Sequence, residues 1–375
     1  MLPIKMVDLE TQYLKIKGEI DNSVLKVMEN AQFIQGKEVS DFSNAFEELL
    51  STKHVITCAN GTDAIQIALM ALALPAGSEV LVPAFCYIAA AESVVLLGHK
   101  PVFIEADMAT FNVDVDKIEA SITENTRAII AVHLFGQACN MLKLMKLAQL
   151  YNLFVIEDNA QSIGADYYFP DESVKKLGTI GHIGTTSFFP SKNLGCMGDG
   201  GAINTNDGDL ALKIKTIANH GQKVKYEHEM IGINSRLDTI QAAILNVKLK
   251  YIFEYTLARQ KAAAKYDTCL KSIPEIEIPY RFTNSSHVFH QYTIKIKNGK
   301  RNELQKYLAQ NSIASMVYYP ISIHSQVAYS KYYQNQNLDV ATKLATEVLS
   351  LPMHTELDGE QIDFISEKIV NFFEQ

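Results

Sequence analysis

Between residues 50 and 205, short β-branched apolar runs alternate with segments of helical period, and this rhythm restricts the fold of the 375-residue chain more than any other feature. The runs are Val55-Ile56-Thr57, Val80-Leu81-Val82, Pro101-Val102-Phe103-Ile104, 128–132, 154–157 and 185–189, with helical spacing over 62–74, 89–97 and 142–151. Short apolar runs bounded by turns predict strands buried on both faces, and the helices between them supply the crossovers that parallel strands need. The expected class is α/β, with helices covering both faces of a sheet.

A long helical stretch over 237–266, rich in Ala, Leu and Lys, leads away from this core and is read as the connection to a second domain. Beyond 267 the rhythm changes to two strands, 290–296 and 315–319, and amphipathic helices over 302–310, 340–350 and 359–373, as in a small α+β domain. The expected division is 1–250 for an N-terminal segment with a large α/β domain and 251–375 for the small one. A chain this long exceeds one compact core, and a hydrophobic share of 47% suffices for two.

Charge and cysteine use narrow the classes of partner. With 34 Lys+Arg against 42 Asp+Glu the formal net charge is -8, which argues against a nucleic-acid-binding surface. The longest apolar run, 80–91, is interrupted by Pro83 and is too short for the roughly 20 residues of a membrane span. The first residues, Met1-Leu2-Pro3-Ile4-Lys5, lack the apolar region of a secretory signal, so the mature chain is expected to begin there. Five scattered cysteines without a CxxC pair suggest neither disulfides nor a zinc cluster, and a cytoplasmic protein fits best. The pair His287 and His290 has no neighbouring carboxylate or cysteine to complete a metal site, and ordinary strand histidines are expected.

In an open α/β sheet, ligands collect at the carboxyl ends of the strands, and four segments just past predicted strands carry chemistry. The first is Ser187-Phe188-Phe189-Pro190-Ser191-Lys192-Asn193-Leu194-Gly195-Cys196, followed by the glycine-rich Gly198-Asp199-Gly200-Gly201. Here a strand ends in a turn that presents one lysine, the residue that forms a Schiff base with an aldehyde cofactor. In the second, Val155-Ile156-Glu157-Asp158-Asn159-Ala160-Gln161-Ser162, Asp158 could partner a pyridinium nitrogen or serve as an N-cap. The third, Cys58-Ala59-Asn60-Gly61-Thr62-Asp63-Ala64, offers a helix N-terminus to a phosphate, or a plain helix cap. In the fourth, Pro83-Ala84-Phe85-Cys86-Tyr87, an aromatic could stack on a flat ring or pack in the core.

Taken together and in order, these segments resemble the DegT/DnrJ/EryC1/StrS family of sugar aminotransferases. The likeness runs from Phe33-Ile34-Gln35-Gly36 to Leu351-Pro352-Met353-His354. It implies the type I fold of pyridoxal-phosphate (PLP)-dependent transferases, with a mostly parallel seven-stranded sheet and a small C-terminal α+β domain. By the resemblance, Lys192 forms the Schiff base with pyridoxal 5'-phosphate, Asp158 pairs with the pyridine nitrogen and Gln161 lies near the ring hydroxyl. Gly61, Thr62 and Ser187 would bind the phosphate, and Tyr87 would stack on the ring. The stretch Gly232-Ile233-Asn234-Ser235-Arg236-Leu237-Asp238 resembles one that crosses a dimer interface, where Asn234 would reach the partner subunit's phosphate; a homodimer with shared active sites is implied.

The likeness extends to UDP-2-acetamido-2-deoxy-3-oxo-D-glucuronate aminotransferases through His220-Gly221-Gln222 and Asn234-Ser235-Arg236-Leu237-Asp238-Thr239. It implies transfer of an amino group from L-glutamate to a nucleotide-linked 3-keto sugar, for surface polysaccharide and O-antigen assembly. Arg236 could grip a glucuronate carboxylate through two parallel hydrogen bonds, or form an ordinary ion pair. Tyr319, followed by Pro320, is a candidate substrate contact or a structural strand end. Two positions depart from the pattern: Tyr318 stands where relatives usually carry His, and Asn219 where they tend to carry Arg. A dTDP-linked 3-keto- or 4-keto-6-deoxyhexose is the alternative substrate. A sugar dehydratase of this fold, which carries His at the lysine position, and a non-catalytic regulator are the remaining alternatives.

Overall fold

The computed structural model describes residues 3–333 and 337–374, so Met1 and Leu2 of the N-terminal reading lie outside the described residues. Two helices, α1 (Leu9–Asn30) and α2 (Lys37–Leu50), precede a seven-stranded sheet. Its strands are β1 (His54–Cys58), β2 (Glu79–Pro83), β3 (Lys100–Ile104), β4 (Thr126–Val132), β5 (Phe154–Asp158), β6 (Ile183–Ser187) and β7 (Gly201–Thr205). They lie in the order β1-β7-β6-β5-β4-β2-β3, and only β7 runs against its neighbours.

Side-chain alternation along these strands explains why both faces are covered. Val80, Val82, Ile130 and Ile156 face one way and pack on α3 (Gly61–Leu72) and α4 (Ala89–Leu96). Leu81, Ile129, Ala131 and Val155 face the other way, toward Met141 and Leu144 of α5 (Met141–Leu150). Mostly parallel strands buried on both sides are what the apolar runs predict.

Helix α6 (Gly208–Ala218) follows β7, and then the predicted long helix divides into α7 (Thr239–Leu249) and α8 (Ile252–Leu270). Tyr251, at φ -99° and ψ 1°, interrupts the helical backbone. The break lets α7 serve the N-terminal helices, with Leu245 beside Phe42 and Phe46 and with Ile244 and Val247 beside Ile16 and Ile20. It also lets Ala262, Ala263, Tyr266 and Leu270 of α8 join a different core. That core covers an antiparallel sheet of β8 (Ile276–Glu277), β9 (Tyr292–Ile296) and β10 (Val348–Leu351), with α9 (Arg301–Gln310) and α11 (Gly359–Phe373), whereas α10 (Asp339–Glu347) turns Ala341, Leu344 and Ala345 toward the core of the large sheet.

Three predicted elements differ. The helix expected over 340–350 stops at Glu347, because Val348, Leu349 and Leu351 enter the sheet as fully buried strand residues. The strand expected over 315–319 is not formed; Met316 makes a single bridge to Ser350, and the segment otherwise turns into the cleft described below. The strand expected at 185–189 lies two residues earlier; Phe188 N extends its pairing to Gly200 O, and the chain then turns, with Lys192 N donating to Phe189 O.

Candidate active site

The ends of β1, β2, β5 and β6 open onto one cleft of about 450 Å³, within the usual range for a small-molecule site. Asn60, Gly61, Thr62, Tyr87, Asp158, Gln161, Ser187, Lys192 and Tyr319 all line it. The structure thus brings together eight of the predicted site residues from five separate segments.

At the mouth of β1, Asn60 caps α3: its side chain accepts from Asp63 N at 2.8 Å. The first N–H groups of the helix, on Gly61 and Thr62, have no intrahelical acceptor and carry the positive end of the helix dipole. A β-carbon at Gly61 would lie 2.6 Å from Ser187 Cβ, so glycine is required for Ser187 to approach this terminus. Two free N–H groups, a threonine and a serine hydroxyl therefore form a cradle suited to a phosphate.

Asp158 ends β5 and accepts from Ala160 N at 3.0 Å. Burial pushes its carboxyl above the ordinary range, while the Ala160 N–H and the Lys192 ammonium pull the other way. Lys192 sits in a turn closed by its own N–H donating to Phe189 O at 2.8 Å. Burial lowers its amine, which favours the uncharged, nucleophilic form, and Asp158 opposes that shift. A carboxylate and a desolvated amine thus face one cavity beside an anion cradle, and this donor set fits pyridoxal phosphate.

Beneath Asp158, Glu157 is fully buried and fixes the strand end. Its carboxylate lies 2.8 Å from His133 Nε2 and accepts from Gly178 N (2.9 Å), Ile180 N (2.6 Å) and Gly181 N (2.5 Å). Gln161 accepts from Phe135 N at 2.7 Å and donates to Tyr319 Oη at 3.2 Å. The Tyr87 and Tyr319 rings lie 6.1 Å apart on the cleft wall.

Phe135, Asp199, His290, Gln291 and Tyr318 also line the cleft; none was expected there from the sequence, where Tyr318 stood out as a departure and His290 as an ordinary strand histidine. The expectation of ordinary strand histidines is not met in position: His287 and His290 precede β9, and only His290 reaches the cleft. Its Nδ1 is buried without a hydrogen-bond partner among the described residues, and burial, with Lys192 and Arg259 nearby, pushes its pKa well below the usual value.

Asn234 and Arg236 lie elsewhere in this subunit. Ser235 Oγ donates to Asp63 Oδ2 at 2.6 Å and accepts from Ala59 N at 3.0 Å, which pins their segment behind the start of α3. Asn234 is exposed, and Arg236 and Asn219 line a separate cavity of about 430 Å³ with Gln35, Gly36 and Lys37.

A family model described as the DegT/DnrJ/EryC1/StrS aminotransferase family matches residues 14–370. A Pseudomonas aeruginosa protein named UDP-2-acetamido-2-deoxy-3-oxo-D-glucuronate aminotransferase is 43% identical over 98% of this chain and 100% of its own. A Geobacillus stearothermophilus protein named pleiotropic regulatory protein is 44% identical over 99% of this chain and 98% of its own. Among solved structures, S. venezuelae DesV, in complex with a ketimine intermediate, superposes with a TM-score of 0.96 at 32% identity, covering 100% of both chains.

Proposed function

Because the chain belongs to the DegT/DnrJ/EryC1/StrS aminotransferase family and is a PLP-dependent aminotransferase of nucleotide-linked keto sugars, we propose that it moves an amino group from L-glutamate to UDP-2-acetamido-2-deoxy-3-oxo-D-glucuronate. The product would be the 3-amino sugar used in surface polysaccharide assembly. The observation that carries the catalytic assignment is the meeting of the Lys192 amine, the Asp158 carboxylate and the α3 N-terminus around one cleft.

When bound, the cofactor supplies an electrophilic carbon and an electron-withdrawing ring for the bond broken at the substrate carbon. Lys192 would hold that carbon covalently and, once displaced by the amino donor, move a proton between substrate Cα and cofactor C4'. Asp158 would keep the ring nitrogen protonated, because a cation beside it restores the charge that burial disfavours. Gly61, Thr62 and Ser187 would bind the phosphate, Tyr87 would lie against the ring, and Gln161 would meet its hydroxyl. Tyr319, joined to Gln161, would place the sugar.

The domain division at 250 and the homodimer belong to this proposal. Asn234 and Arg236 lie outside their own subunit's cleft, so their proposed roles in binding phosphate and sugar carboxylate require a second copy. In that arrangement each cleft would be completed across the dimer interface.

Borohydride reduction of the holoenzyme tests the catalytic assignment. The cofactor's visible band should bleach and the reduced adduct should map to Lys192; an adduct on another lysine would refute it. For the sugar, UDP-linked 3-oxo-glucuronate is compared with a dTDP-linked 3-keto-6-deoxyhexose on wild type and Arg236→Ala. Selective loss on the acid supports the proposal, whereas equal loss removes Arg236 as its reader, and preference for the deoxyhexose reverses the substrate assignment.

A further inference from the structure

A third cavity, of about 240 Å³, lies between α1, α7 and the far side of the turn that presents Lys192. None of its lining residues lines the Lys192 cleft. Its walls are Leu9, Tyr13, Ile16, Pro190 and Met197, and its one charged group is Lys248 of α7. Lys248 is 3% exposed, and among the described residues its amine has no hydrogen-bond or ion-pair partner.

The neighbouring polar groups are committed elsewhere. Gln12 Nε2 donates to Thr355 Oγ1 at 3.1 Å, and Tyr13 Oη donates to Asp21 Oδ1 at 2.7 Å. Cys196 Sγ donates to Phe188 O at 3.0 Å and lies 3.1 Å from Gly198 O. Burial pushes that thiol up to about 11, so it supplies no counter-charge at neutral pH. Burial likewise brings the Lys248 amine down to about 8, as expected for a cation taken from water without an anion.

We propose that this cavity binds a small monocarboxylate with an apolar body, the carboxylate pairing with Lys248 and the body filling the space against Leu9, Ile16, Pro190 and Met197. One ammonium calls for one negative charge, and walls without further donors disfavour a phosphate or sulfate, whose additional oxygens would stay unpaired. The size agrees: a dry apolar cavity of roughly 150 Å³ holds a benzene ring, which leaves room here for a carboxylate. The ligand would sit behind the Lys192 turn, against Pro190 and Met197 on either side of it.

Calorimetry on the PLP-loaded enzyme with benzoate at pH 7 tests this, because the cofactor keeps the probe from the phosphate cradle. Benzoate should bind once per chain, and benzamide, of the same shape without the charge, should not. That contrast is read on the wild type and does not depend on any variant folding. Lys248→Met, similar in volume and uncharged, should fold at least as stably and lose about tenfold or more in benzoate affinity. Absence of benzoate binding at millimolar concentration, equal binding of benzamide, or undiminished binding by Lys248→Met would each overturn the proposal.

Discussion

Gln161 Nε2 donates to Tyr319 Oη at 3.2 Å, a bond between residues 158 positions apart that joins the loop after β5 to the segment leading to Pro320. The other end of the same amide accepts from Phe135 N at 2.7 Å, so its orientation is fixed from both sides. Tyr319→Phe removes one acceptor and leaves the ring in place. The fold should lose only about 1 kcal/mol, while KM for the keto sugar rises several-fold with a smaller change in kcat. Steady-state kinetics checks this; an unchanged KM would make Tyr319 a purely structural residue.

Gly61→Ala should act on the cofactor rather than on the sugar. The new methyl would lie 2.6 Å from Ser187 Cβ, closer than real side chains approach, and must push the serine or the start of α3 away. Since both would belong to the phosphate cradle, pyridoxal phosphate affinity should fall by about tenfold or more, or roughly 1.4 kcal/mol. Equilibrium dialysis of the apoenzyme with cofactor reads the effect.

The buried Glu157 gives an acid-dependent stability. Burial raises its carboxyl, but His133 and the Gly181 and Gly178 N–H groups more than offset this, so its folded pKa lies below the ordinary one. A depressed carboxylate contributes stability above its unfolded pKa and loses it as pH falls through the folded value. The wild-type Tm should therefore fall as the pH is lowered below the normal glutamate pKa of about 4.3. Glu157→Gln should be less stable by about 3 kcal/mol or more at pH 7 and show a flatter acid limb in a pH series of thermal melts.

The site was legible where strand ends carry it, and less so where distant segments fold over it. Lys192, Asp158, Gly61 and Tyr87 each follow an apolar run, so a strand and its turn locate them in the sequence. His290 and Gln291 have no such marker. Arg259 holds their segment in place, donating through Nη1 to Phe289 O at 3.1 Å, His290 O at 3.4 Å and Met353 O at 3.0 Å. Strand β7 escaped because its apolar pair, Ala202 and Ile203, is enclosed by Gly201 and Asn204, too short a run to mark a strand by composition. Residues 348–351 continue the apolar pattern of α10, and only pairing with β9 turns them into a strand. Asn234 and Arg236 were singled out by resemblance, and one subunit does not bring them to its own cleft.

Asp158→Asn separates binding from chemistry. The carboxyl is raised by burial, which the Ala160 N–H and the charges of Lys192 and His133 offset only in part. A protonated ring nitrogen would offset it further, and the same pairing would hold the ring cationic while charge develops at the substrate carbon. Asparagine preserves size and can still hydrogen-bond, so the holoenzyme should form and keep its visible band. It supplies no negative charge, so kcat should fall by roughly 100-fold or more, the scale seen when one preorganised electrostatic partner is removed. A cofactor analogue methylated at the ring nitrogen carries the positive charge permanently and should restore part of the lost rate in Asp158→Asn. Absence of rescue, with cofactor still bound, would mean that Asp158 positions the ring rather than sustaining its charge.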